Sequence, residues 1–141
     1  MTAVLTENKI DLIRQRMERL TGRRLPQNVT VTEGEGLSVT WDGQRGSIAA
    51  CDGTALARGM FLVMKACREN GLVDEKQTRH FRTCGPFIDC SRGAVPTLEA
   101  CMRYADYTAA LGMNVLALYM EDTYTIPEYP YFGHLRGRYT P

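Results

Sequence analysis

Four residues carry side chains suited to binding or turning over a polar substrate. Asp89 and Arg92 stand in the run IDCSRG, and Glu121 and Asp122 stand in the run YMEDTY. An arginine presents several donors in a rigid fork, which suits sugar hydroxyls or a carboxylate. Adjacent acids can hold a substrate hydroxyl or orient a catalytic group. Neighbours along a strand point to opposite faces, so one of Glu121 and Asp122 is expected to face a site. Each pair also has a plain structural use. Arg92 can pair with Asp89 to seal a strand end, and Glu121-Asp122 can be a solvated turn.

Other residue types suggest further chemistry but do not converge. His80, Cys84 and Cys90 are potential metal ligands, yet an extended strand between them separates them too far for one tetrahedral zinc. No metal and no cofactor is therefore expected. His134 reads as a solvated loop histidine. No Gly-x-Ser-x-Gly or phosphate-loop pattern occurs, and no cysteine–histidine nucleophile pair is evident from spacing. The arginines from Arg14 to Arg24 interleave with Asp11 and Glu18, which reads as a solvated helix face rather than an RNA surface. Met60, Met64, Met113 and Met120 read as core filler. The tail from Thr123 carries Tyr124, Tyr129, Tyr131, Phe132 and Tyr139. Such rings can stack on the apolar faces of sugars or pack against further protein. The tail is too aromatic for a disordered linker.

Composition bounds these readings. With 141 residues and a formal net charge of +1, the chain can bury one real core and shows no bias towards nucleic acid or a membrane surface. The start, MTAVLTENKIDLIRQRMERL, lacks the apolar centre of a signal peptide. The five cysteines show no paired Cys-x-x-Cys spacing, so reduced thiols in a cytoplasm are the simplest expectation.

The elements that would position the four residues follow from periodicity. Ile10, Ile13, Met17 and Leu20 recur at helical spacing over residues 8–21, with Gly22 as a stop. Val29 and Val31, then Leu37, Val39 and Trp41, alternate as strands, with Asp42-Gly43 as a hairpin turn. Ile48–Cys51 reads as a third strand. Residues 55–70 form a second helix, with Thr54 as N-cap and Gly71 at its end. The polar segment Val73–Arg79 reads as a connector. Beyond it, Thr83–Cys90 reads as a buried parallel strand. A helix then runs from its cap Thr97 to about Leu111, with Leu98, Cys101, Ala105 and Leu111 inward. Val115–Tyr119 is the next strand. Strand, helix and strand fit one right-handed βαβ unit.

The fold class expected is thus α/β. Residues 1–76 form a small α+β domain of helix, three strands and helix. Residues 77–141 form the first two strands and one helix of a truncated (β/α)₈ barrel, since a closed barrel needs roughly 200 residues or more. Parallel α/β enzymes place their chemistry on loops at the carboxyl ends of strands, where Asp89, Arg92, Glu121 and Asp122 fall.

The run GPFIDCSRGAVPTLEACMRYADYTAALGMNVLALYMEDTYTIPEYPYFGHLRGRYT resembles glycoside hydrolase family 20, the β-N-acetylhexosaminidases. The family's first barrel strand ends in Asp-x-Ser-Arg, matched by Asp89, Ser91 and Arg92. Its second strand ends in an acidic pair, matched by Glu121 and Asp122, where many members carry two aspartates. The preceding residues match the small domain before the family's barrel in element order only. The resemblance implies a retaining hydrolase that removes terminal N-acetylglucosamine or N-acetylgalactosamine from glycans. In its substrate-assisted mechanism the substrate's acetamido oxygen attacks the anomeric carbon. It implies that Arg92 binds sugar hydroxyls, that Glu121 or Asp122 supports the site, and that the catalytic Asp-Glu pair lies beyond Pro141. The chain alone is then expected to be inactive, with the rest of the barrel as its missing partner. A stand-alone carbohydrate-binding or interaction module is the alternative.

Overall fold

The structure is a computed structural model that describes residues 5–93 and 95–138. Among these residues it is a mixed α/β arrangement with three helices and two sheets. In chain order come α1 (Glu7–Thr21), β1 (Val29–Glu33), β2 (Leu37–Trp41), β3 (Gly46–Ala50), α2 (Gly53–Glu69) and β4 (Val73–Gln77). Then follow β5 (Phe87–Asp89), α3 (Leu98–Ala110) and β6 (Ala117–Tyr119).

The first four strands form one sheet in the order β1-β3-β2-β4. The alternation seen in the sequence places Leu37, Val39 and Trp41 on the buried face of β2, beside Ile48 and Ala50 of β3. Asp42 closes the β2–β3 hairpin, since its Oδ1 accepts from the Gln44 and Arg45 amides at 2.8 and 2.6 Å. β3 then returns between β1 and β2, so β1 pairs with it in parallel.

α2 lies across the buried face and is itself covered by α1 and α3. Leu56, Met60 and Val63 are fully buried, which makes this helix the centre of the core. Gly59 allows the close approach, because a Cβ there would stand 2.6 Å from Ile48 Cγ2. The helix begins at Asp52, not Thr54. Asp52 Oδ1 accepts from the Ala55 amide at 2.8 Å, and its other oxygen pairs with Arg79 at 2.8 Å. At its end Asn70, not Gly71, takes the left-handed conformation, with φ 50°.

Three further expectations need correction. Val73–Arg79 is not a connector, because Val73–Gln77 pairs antiparallel with β2 as a fourth strand. Its polar pattern suits an edge strand, where exposed charges such as Asp74, Glu75 and Lys76 discourage further pairing. The strand expected as buried over Thr83–Cys90 spans only Phe87–Asp89 and lies near the surface, with Phe87 69% exposed and only the following Cys90 buried. The inner side of α3 was also misassigned. Leu98 and Leu111 are exposed and Ala105 faces out, while Thr108 and Ala110 are buried. Small residues near the end of α3 let it approach α2, where Arg58 Nη1 reaches the Ala110 carbonyl at 3.3 Å. Arg16 fixes α3 to α1 through Asp106 at 2.7 Å.

The βαβ reading of the second half matches the observed pairing. β5 and β6 run parallel, joined through α3. Their backbone contact extends past the strands themselves. The Asn114 and Val115 amides donate to the Cys84 carbonyl, and the Ala117 amide donates to the Pro86 carbonyl at 3.0 Å. Asn114 adds its side chain, accepting from the Cys84 amide and donating to the Arg82 carbonyl, each at 2.9 Å. Gly85 has no room for a Cβ against the Val115 carbonyl, so the two chains meet backbone to backbone.

Candidate functional site

Parallel pairing brings the carboxyl ends of β5 and β6 side by side, and the four residues singled out by type meet there. Just past β5, the Ser91 amide and hydroxyl both donate to Asp89 Oδ1, at 2.8 and 2.6 Å. The Arg92 guanidinium donates to the other oxygen at 2.6 Å. These bonds, from Ser91 first and Arg92 next, hold the Asp89 carboxyl well below the usual carboxylate range, at about 2. The loop thus fixes an arginine through its own carboxylate.

β6 ends at Tyr119, so Glu121 and Asp122 do not sit on the strand and do not divide between its two faces. They lie in a tight turn closed by the Thr123 amide on the Met120 carbonyl at 2.9 Å. The Thr123 side chain is buried and bonds the same carbonyl. Glu121 adopts φ 47°, a left-handed conformation that costs a residue with a Cβ more than it costs glycine.

The tail then folds back over this turn by successive short turns, in which amides at Tyr129, Phe132, His134 and Arg136 each bond the carbonyl three residues earlier. Tyr124 and Phe132 meet with tilted rings at 5.1 Å between ring centres. Arg138 holds the bend by donating to the Phe132 carbonyl at 3.1 Å. Gly133, at φ 68°, lies against the Asp122 carbonyl with no space for a side chain. Tyr139 falls outside the described residues.

This return delivers a residue that the sequence reading did not single out. Arg136 donates from Nε to Asp122 Oδ1 at 3.0 Å and stands 3.6 Å from Glu121 Oε2 through Nη2. Arg92 Nη2 stands 3.6 Å from the same Glu121 oxygen. Five side chains therefore alternate in charge along a line: Asp89, Arg92, Glu121, Arg136, Asp122. The signal available in the sequence was only the Arg-Gly-Arg run after an aromatic turn, and its partner lies fourteen positions earlier across that turn.

The other candidates lie apart from this line. His80, Cys84 and His134 are exposed, and among the described residues no three His, Cys, Asp or Glu side chains gather as a metal site. In the basic stretch of α1, Arg14 pairs with Asp11 of the same helix at 3.1 Å and Arg16 with Asp106 of α3. No described helix is long and apolar enough to cross a membrane. The exposed Tyr129 and Tyr131 line a shallow hollow with Ile126, Glu128, Pro130 and Phe132.

An alternating line of guanidinium and carboxylate groups at the carboxyl end of a parallel strand pair can bond to polar groups such as hydroxyls. Each group is oriented by a neighbour and keeps donors or acceptors to offer. No protein-family model and no curated protein matches the chain.

Proposed function

We propose that the chain forms the front of a retaining β-N-acetylhexosaminidase of glycoside hydrolase family 20. In this reading residues 77–141 begin the catalytic barrel, and Arg92, Glu121 and Asp122 bind the terminal N-acetylhexosamine of a glycan. The observation that carries the reading is the convergence of Asp89–Arg92 and Glu121–Asp122 at the carboxyl end of a parallel pair. The exposed Phe87, Leu118 and Tyr119 of that pair, and Leu98 and Met102 of α3, fit a face awaiting further strands and helices. The work of these residues is positioning. Arg92 and the acids hold hydroxyls away from the scissile bond, while the substrate's own acetamido oxygen forms the bond to the anomeric carbon. The Asp-Glu pair that would orient that acetamido group and protonate the leaving oxygen is expected beyond Pro141, in a cytoplasmic enzyme.

Two measurements test this. The purified 141-residue chain should not hydrolyse an aryl N-acetyl-β-glucosaminide, and any turnover by it refutes the division of labour. The coding sequence after Pro141 should continue through further β/α units to an Asp-Glu pair. A stop codon there would turn attention to the second reading, a stand-alone carbohydrate-binding module, which the exposed Tyr129 and Tyr131 favour.

A further inference from the structure

We infer that the outer edge of β1 is a dimerisation strand, pairing antiparallel with β1 of a second copy of this chain so that two four-stranded sheets become one. The inference concerns the first half of the molecule and does not rest on the glycosidase reading.

The two edges of the sheet are unlike. β1 and β4 are each five residues long, so length does not distinguish them. β4 carries Asp74, Glu75 and Lys76, the kind of charge that keeps an edge from pairing further. β1 reads Val29-Thr30-Val31-Thr32-Glu33, β-branched and uncharged until its last residue. The Glu33 carboxylate already accepts from the Leu5 amide at 3.1 Å.

The register decides which backbone groups of β1 are free. The Gly46 amide donates to the Asn28 carbonyl and the Gly34 amide to the Ala50 carbonyl, so the even-numbered residues of this stretch turn their backbone to β3. Val29, Val31 and Glu33 turn their N–H and C=O groups outward, where no described residue bonds them.

That edge is complementary to itself. About a two-fold axis at Val31, Val31 meets Val31 of the second copy and Val29 meets Glu33. Each outward residue then exchanges both backbone bonds with its opposite, and no like charges face each other. Thr30 comes opposite Thr32 on the exposed face, a favourable cross-strand pair. On the other face Val29 and Val31 are only half-buried, whereas Val39 and Ile48 of the inner strands are fully buried. A second strand beside β1 covers those two valines.

Sedimentation velocity on the 141-residue chain, from micromolar to millimolar concentration, tests this. It should show a reversible monomer–dimer equilibrium. The dimer should be weak, because five residues a side is far fewer than the roughly 20–30 of a standard interface. Thr30→Lys/Thr32→Lys sets like charges opposite each other twice over and should weaken the dimer roughly tenfold or more. Thr30→Lys/Thr32→Glu sets opposite charges there and should retain it. Both threonines are exposed, so both variants should melt as the parent chain does. In the unaltered chain, hydrogen exchange at the Val29, Val31 and Glu33 amides should slow as concentration rises, and exchange along β4 should not change. A monomer at every concentration overturns the inference. A dimer that ignores the double-lysine change also overturns it, because the contact then lies elsewhere. So does a dimer that the Lys/Glu combination fails to retain, because positions 30 and 32 then do not face each other. If a variant does not fold, the exchange data decide alone, and protection of the three amides that stays constant with concentration overturns the inference.

Discussion

The four-stranded sheet with α1 and α2 and the β5–α3–β6 unit with its tail obey different rules. In the first, α2 is buried along most of its length, and the sheet presents one apolar face to it. In the second, apolar side chains stand in the open: Phe87 on β5, Leu118 on β6, Leu98 on α3 at 78% exposure. Polar groups are arranged with more care there than apolar ones, and hydrogen bonds rather than packing define the strand ends. The first region thus supplies most of the chain's own stability. The second region is held by the Asn114 bonds, the Arg58 contact to Ala110 and the Arg16–Asp106 pair while its apolar surface stays unspent.

Substitutions can break or sharpen this contrast. The largest effect belongs to the core of the first region. Met60→Ala should cost roughly 2–5 kcal/mol, the usual range for emptying a fully buried methionine site, read by chemical denaturation of the chain. A cost under about 1 kcal/mol would mean that α2 is not the centre of the fold. Next comes the cap of α2. Asp52→Ala should cost about 1 kcal/mol. Burial pushes the Asp52 carboxyl up, but the Arg79 and Ala55 hydrogen bonds bring it below its ordinary value. Its contribution is therefore complete above the unfolded value and fades as pH falls through the lower folded value, so the acid side of the stability curve should flatten in this variant.

Leu98→Ala should change the stability of the chain by no more than about 0.5 kcal/mol, as expected of an exposed site. The same change in a protein that covers α3 should cost clearly more. Equal, negligible costs in both would mean that the apolar side of α3 is simply surface. The smallest global effect is expected at Asp89, which is exposed and screened by salt. Its carboxyl should nonetheless titrate near 2, seen in its carboxyl carbon shift, rather than near the ordinary 3.8. Because the folded value is the lower one, this contribution is whole above about 3.8 and is lost as pH falls towards 2. Ser91→Ala should move the titration back up, since Ser91 is the leading cause of the shift.

The contrast also explains what could be read from sequence. Ile10 to Leu20 and Leu37 to Trp41 were legible because burial on one side imposes a period. β4 was not, because an edge strand with charged residues outward has no apolar alternation to show. The face of α3 was misread because its large apolar residues point away from α2, and the contact uses Thr108 and Ala110. Asp89, Arg92, Glu121 and Asp122 could be picked by type and strand-end position, and the structure brings them together. Arg136 could not, since its place depends on the path of an aromatic tail rather than on any repeat or spacing.

The most direct test of the account is a hydrolysis assay on the protein expressed from the complete reading frame, with and without Arg92→Gln. The account predicts release of the aryl group from an N-acetyl-β-glucosaminide, and a fall in kcat/KM of about tenfold or more in the variant. No hydrolysis by the complete protein, or hydrolysis indifferent to Arg92, would contradict it.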